Sequence, residues 1–348
     1  MPHRKWVGLA SVAAAVMLMT SGCSLFGSDG ATGAIDPPPA GANLSAPNNA
    51  LPVMAAATTG SQTEATLYFK DVNGYVAPIS TRIPSTPGIA KEVLEYMVDG
   101  GPGQALLPDG FHALLPKGTQ VKGLNIVPDQ KLAQVDFSKE FANYNVQDER
   151  KMMEAITWAL TGFPTVEKVQ IWMEGKVLKE MPVDGTPMDE PLSRSMGINL
   201  QASAGMDYGQ SIPVTLFFEN QTSADYKYFV PVTRMVARTD NIGLAAVSEL
   251  IKGPNGPGLL SVLDPSTKIL SVNDQTKTVT ANFGEELLGA DQKASPDALK
   301  SIILSLTENT GKSQVQIQVN GTSKVIADDK TNYSKPVEKP VHVNEYKM

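Results

Sequence analysis

The residues that could do chemistry are few. Two carboxylates occupy matched places, Glu140 in "FSKEF" and Glu286 in "FGEEL", and a pair of carboxylates is all that glycoside hydrolysis requires. They fall in separate halves of the chain, whereas a hydrolase concentrates its pair in one cleft. A solvated turn or a capping acid is the simpler reading of each. His112 lies in the loop "PDGFHALLP" without an acid at ligand spacing, and His342 stands near the end of the chain. No Cys/His cluster has the spacing of a zinc site, so no metal is expected. "GGPGQALLPDG" at 100–110 is rich in glycine but lacks the lysine and following helix of a phosphate cradle, and reads as a helix stop. These residues give no catalytic set and no cofactor site.

One residue remains. Cys23 is the only cysteine in 348 residues, so no disulfide can form within the chain. Upstream, His3, Arg4 and Lys5 give a basic start, Trp6 to Thr20 an apolar run, and Ser21-Gly22 a small pair directly before the thiol. Charged, apolar, then small is the order of a secretory signal. With cysteine next, the stretch resembles a bacterial lipoprotein signal, with Thr20 at the position usually held by Leu, Val or Ile. That resemblance implies cleavage after residue 22, S-diacylglycerol on Cys23 and N-acylation (palmitate) of the new terminus. Acyl chains contribute about 0.8 kcal/mol per buried CH₂, so several hold a protein at a bilayer without a spanning helix.

The chain carries 29 Lys and Arg against 36 Asp and Glu, a formal charge of −7, and cleavage removes Arg4 and Lys5 but no acid. An acidic body argues against nucleic acid as a partner and against adsorption to anionic lipid. From residue 24 to 63 the only charges are Asp29 and Asp36, with Pro37-Pro38-Pro39 and no sustained period. Residues 23–63 read as a lipidated, disordered tether, spanning roughly 35 Å as a coil and about 120 Å fully extended.

The elements beyond the tether come twice. "ATLYFKD" at 65–71 returns as "VTLFFEN" at 214–220, "QVDFSKEF" at 134–141 as "TANFGEEL" at 280–287, and "KVQIWMEGK" at 168–176 as "QVQIQVNGT" at 314–322. The last two pairs share one separation and the first differs from it by three residues. In the first copy, Thr66–Lys70 and Tyr75–Thr81 form a hairpin about Asn73-Gly74. Ile89, Val93 and Met97 stripe a helix that Gly100-Gly101-Pro102 stops. Strands at Leu124–Val127 and Lys131–Phe137 turn at Pro128-Asp129, with Ala133, Val135 and Phe137 inward. Asn145 caps a helix carrying Met153, Ile156 and Leu160, and Val166–Met173 is the last strand, with Lys176–Lys179 as a hairpin partner. In the second copy, Leu244, Val247 and Ile251 stripe the first helix, and Val279, Ala281 and Phe283 face inward. Ser295-Pro296 starts the helix of Leu299, Ile302, Ile303 and Leu306, and Val315–Val319 ends the core. The aromatic segments "YFKDVNGY" and "DYKYF" sit on the edge hairpins, open to packing or to a partner. The fold class is α+β: two tandem small α/β sandwich domains, each helix–strand–strand–helix–strand after a hairpin.

"TLYFKD", "LLPKGTQVKGLNIVPDQKLAQVDFSKEF" and "VEKVQIWMEGK" resemble the GerMN-domain family, and the second copy follows it more loosely, with "SVLDPST" in place of "LLPKGT". The resemblance covers residues 64–200 and 211–345, behind a signal at 1–22. It implies a ring-building-motif-like core and a non-enzymatic lipoprotein of sporulation and spore germination in endospore-forming Firmicutes. Implied partners are ring-forming proteins of the mother cell–forespore channel complex, or further copies of the chain. The implied place is the extracytoplasmic face of the membrane, in the intermembrane space of the sporangium. A peptidoglycan-associated module in spore envelope remodelling is the alternative.

Overall fold

A computed structural model of the protein describes residues 61–201 and 208–346. Cys23, the signal and all but the last three residues of the tether lie outside the described residues. The first repeat opens with an antiparallel hairpin, β1 (Gln62–Lys70) and β2 (Val76–Pro84), registered Leu67 to Ile79. Its turn is built by Asp71, whose Oδ1 accepts the N–H groups of Asn73 and Tyr75 at 2.9 and 2.8 Å, while Gly74 takes φ +85°. After α1 (Ile89–Tyr96), β3 (Val121–Val127) and β4 (Leu132–Phe137) pair antiparallel. Helix α2 (Glu149–Leu160) then crosses over to β5 (Lys168–Met173), which lies parallel to β4 with Val135 opposite Ile171, and β6 (Lys176–Val177) closes the order β3-β4-β5-β6.

The second repeat runs in the same order. A longer hairpin of β7 (Ser211–Gln221) and β8 (Lys227–Ala237) leads to α3 (Ile242–Ile251), β9 (Ile269–Asn273) and β10 (Thr278–Phe283). Then α4 (Pro296–Thr310), β11 (Gln314–Val319) and β12 (Val337–Glu338) complete a sheet ordered β12-β11-β10-β9. The strand faces expected to be inward are buried in both copies: Ala133, Val135 and Phe137, and Val279, Ala281 and Phe283. They join the stripes of all four helices in one apolar cluster that runs through both repeats. Burial of that continuous surface ties the two copies into one body.

Two local expectations are corrected. Asn145 accepts the N–H of Gln147 and caps a short 3₁₀ turn at Val146–Asp148, and α2 starts only after that turn. On α3 the buried positions are Gly243, Ala246, Val247 and Leu250, and Leu244 points to solvent at 40% exposure. The stripe is rotated by one residue because α3 approaches β9 at Gly243, where an added Cβ would stand 3.0 Å from Val272 Cγ1. By contrast, Ser295 caps α4 as expected, accepting from the Ala298 N–H, with Pro296 at its first position.

Helix α4 also covers the outer edge of β7. Ser301 Oγ donates to the Phe217 carbonyl at 2.6 Å, Ser305 Oγ accepts the Phe217 N–H at 3.1 Å, and Asn309 both accepts from and donates to the backbone of Thr215. Four residues rise about 6 Å along a helix and two residues about 6.6 Å along a strand, so polar side chains at that helical spacing can serve an exposed strand edge.

Candidate functional site

The residues singled out for chemistry stay apart. Glu140 and Glu286 each sit in a short 3₁₀ turn just past the last residue of β4 or β10, on different sheets. Hydrogen bonding from Ser138 holds the Glu140 carboxyl below its ordinary range, and the Lys268 ammonium does the same for Glu286. A general acid for glycoside cleavage needs its pKa raised, so neither carboxylate is set up for that role. His112 is exposed, and its backbone bridges to Lys70. His342 pairs with Glu64 at 2.7 Å. Among the described residues no group of three or more His, Cys, Asp or Glu could hold a metal ion, and no helix is long and apolar enough to cross a membrane.

What the chain does bring together is the seam between its repeats. There β2 packs against β8, and Pro78 and Pro231, which have no N–H, each leave their strand without a ladder donor at that point. Two asparagine side chains span the gap. Asn344 donates from Nδ2 to the carbonyls of Pro78 and Phe229, at 2.7 and 2.8 Å, and accepts the Phe229 N–H at 2.7 Å. Asn199 donates to the carbonyls of Val76 and Pro231, at 2.8 and 2.7 Å, and accepts the Val76 N–H at 2.8 Å. Val76 corresponds to Phe229 and Pro78 to Pro231 in the repeat, so the two constellations exchange under a pseudo-two-fold axis.

The tails that carry these asparagines are exchanged as well. Ile198 and Gln201 of the first repeat bond the backbone and hydroxyl of Thr233 on β8. Val343, Asn344 and Tyr346 of the second bond Ser80 on β2 in the corresponding way. Near the axis the copies differ in one useful atom. Asp71 and Asn220 occupy equivalent places, and Asn220 Nδ2 donates to Asp71 Oδ2 at 3.0 Å, where two aspartates would repel. Tyr228 adds its hydroxyl to the same oxygen at 2.8 Å. Asp71 is 2% exposed, and burial pushes its carboxyl up despite these four donors. Phe111 of the first repeat packs edge-on against Tyr228, with centroids 4.9 Å apart, and Asp71 of "YFKDVNGY" meets Tyr228 of "DYKYF", so both aromatic segments of the sequence serve the seam.

A charged clamp lies beside the seam. Arg194, from the first repeat's tail, donates to Glu308 of α4 at 2.5 Å, and Lys339 donates to its other oxygen at 2.8 Å. Burial alone would raise the Glu308 carboxyl, but the two cations overcome it and hold it at about 2. Asn199, Asn344 and Arg194 were not distinguishable in the sequence. Their one signal is a faint echo, "INLQ" against "VNEY", at nearly the separation of the stronger repeats.

The Germane family, described as "Sporulation and spore germination", matches residues 66–179 and 215–325, one match in each repeat. The chain belongs to this family of GerMN domains. It is 37% identical over 350 residues to the "Spore germination protein GerM" of Bacillus subtilis (strain 168), covering 94% of each. Its structure superposes on the tandem GerMN domains of the sporulation protein GerM from Bacillus subtilis with a TM-score of 0.77, over 82% of this chain and 99% of that one. The α+β tandem architecture read from the sequence is thus that of GerMN domains.

Proposed function

We propose that this chain is a membrane-held, non-enzymatic scaffold of sporulation and spore germination, anchored through acylated Cys23 and joined to ring-forming proteins of the mother cell–forespore channel complex. The likeness to GerM along nearly the whole of both chains supports the biological role. The observation that carries the scaffold reading is the seam: exchanged tails and paired asparagines fix two GerMN domains in one orientation, as a structural spacer requires. Among the described residues nothing pairs with the outer edges of strands β3 and β9, which leaves each domain a sheet edge for a neighbour. Head-to-tail contacts of that kind close into rings when the rotation per subunit fits.

The test is co-assembly. The soluble region, mixed with ring-forming partners at low micromolar concentration, should form particles larger than any component alone. A mixture in which every component keeps its own size overturns the reading.

A further inference from the structure

The two repeats share a contact between tail and helix that only the first completes. In the first, Glu154 of α2 is 2% exposed, accepts the backbone N–H of Asn199 at 3.1 Å and is paired to Arg150 at 3.0 Å. Helices α2 and α4 correspond with Met153 at Leu299, Ile156 at Ile302 and Leu160 at Leu306, so Lys300 takes the place of Glu154. A lysine cannot accept a hydrogen bond. The N–H of Asn344, counterpart of Asn199, finds no acceptor among the described residues. The Lys300 ammonium lies over the Phe229 ring, 5.4 Å from its centroid, and makes no ion pair among them. Both donors border a cleft of about 290 Å³ whose walls include Phe229, Val343 and the paired Lys227.

We propose that this cleft binds the carboxylate of a peptide, whose oxygens take the position that Glu154 fills in the first repeat. A backbone N–H and an ammonium without an ion pair among the described residues are the donor set for one carboxylate group. The other basic side chains there are occupied, the Lys227 ammonium by Glu219 at 3.0 Å and the His342 ring by Glu64. Asp297 and Glu345 also border the cleft, so a doubly charged phosphate meets about twice the repulsion that a carboxylate does. Phe229 and Val343 give the peptide's carbon atoms an apolar wall. The site does not depend on the scaffold reading and goes beyond it.

Amide spectra of the ¹⁵N-labelled soluble region test it, titrated with acetyl-dialanine (a terminal carboxylate), acetyl-glutamyl-alanine amide (a side-chain carboxylate) and inorganic phosphate. At least one peptide should shift the Asn344 amide in a saturable way, and which one does so identifies the source of the carboxylate. Lys300→Met, at a half-exposed position, should weaken that binding by about tenfold or more. Lys300→Glu supplies the carboxylate internally and should shift the Asn344 amide unaided while abolishing peptide binding. The inference is overturned if neither peptide moves the Asn344 amide, if phosphate binds more tightly than both, or if Lys300→Met binds undiminished.

Discussion

Replacing Asn344 by alanine removes three hydrogen bonds at a position only 4% exposed. The Pro78 carbonyl and both backbone groups of Phe229 lose their partner. Each buried orphan costs about 1–3 kcal/mol, and the space vacated by the carboxamide admits a water that serves some of them. A net loss of about 3–4 kcal/mol is expected, a large share of the roughly 5–15 kcal/mol that holds a domain together. Asn199→Ala removes the same three bonds at a more exposed site, where solvent replaces them, and should cost about 1–2 kcal/mol. Asn344→Asp keeps the shape but turns a carboxylate toward two carbonyl oxygens, and should be worse than alanine at neutral pH and partly restored in acid. Urea unfolding read by tryptophan fluorescence and by circular dichroism measures the losses. Hydrogen exchange at the Val343 and Tyr346 amides, which donate to Ser80, shows whether the tail has left β2. An Asn344→Ala loss below about 1 kcal/mol, with those amides still protected, would refute the role given to the asparagine pair.

Glu149 gives a pH-dependent test: burial alone would raise its carboxyl, yet Thr186, the Asp184 N–H and Tyr144 bring it to about 2. A depressed pKa stabilises the fold above the ordinary value and the effect fades as pH falls toward 2. Because the loop it holds is near the surface, Glu149→Gln should cost about 2 kcal/mol at pH 7 and little at pH 2, read from urea midpoints. Arg194→Met leaves Glu308 with Lys339 alone and should cost about 2–3 kcal/mol, while Arg194→Lys recovers only part because it cannot also reach Thr161 and the Trp158 carbonyl. Phe137→Ala and Phe283→Ala each empty a fully buried site and should each cost about 3–5 kcal/mol by the same assay. Cys23→Ser should leave the domains folded and move the protein from the membrane pellet to the supernatant.

Much of the fold is legible because it follows local rules. Alternation in "AQVDF" and "VTANF" marks strands with one buried face, and Ser295-Pro296 marks a helix start, independently of anything distant. Helix α3 resisted because Gly243, with no side chain to count as apolar, is the residue pressed against β9. The seam resisted for a different reason. Asn199 and Asn344 act on carbonyls more than a hundred residues away, and an asparagine in a tail looks the same whether it bridges strands or faces water. The missing N–H groups of Pro78 and Pro231 acquire meaning only when the hairpins meet. Likewise Lys300 becomes informative only beside Glu154, once the two helices are superposed.

The proposed scaffold role requires assembly without turnover, and the most direct measurement is single-particle imaging of the soluble region together with the ring-forming proteins proposed as its partners. Closed particles containing this chain, lost with Asn344→Ala while the partners still associate with each other, are the expected result. Partner rings that form identically and exclude the chain would contradict it.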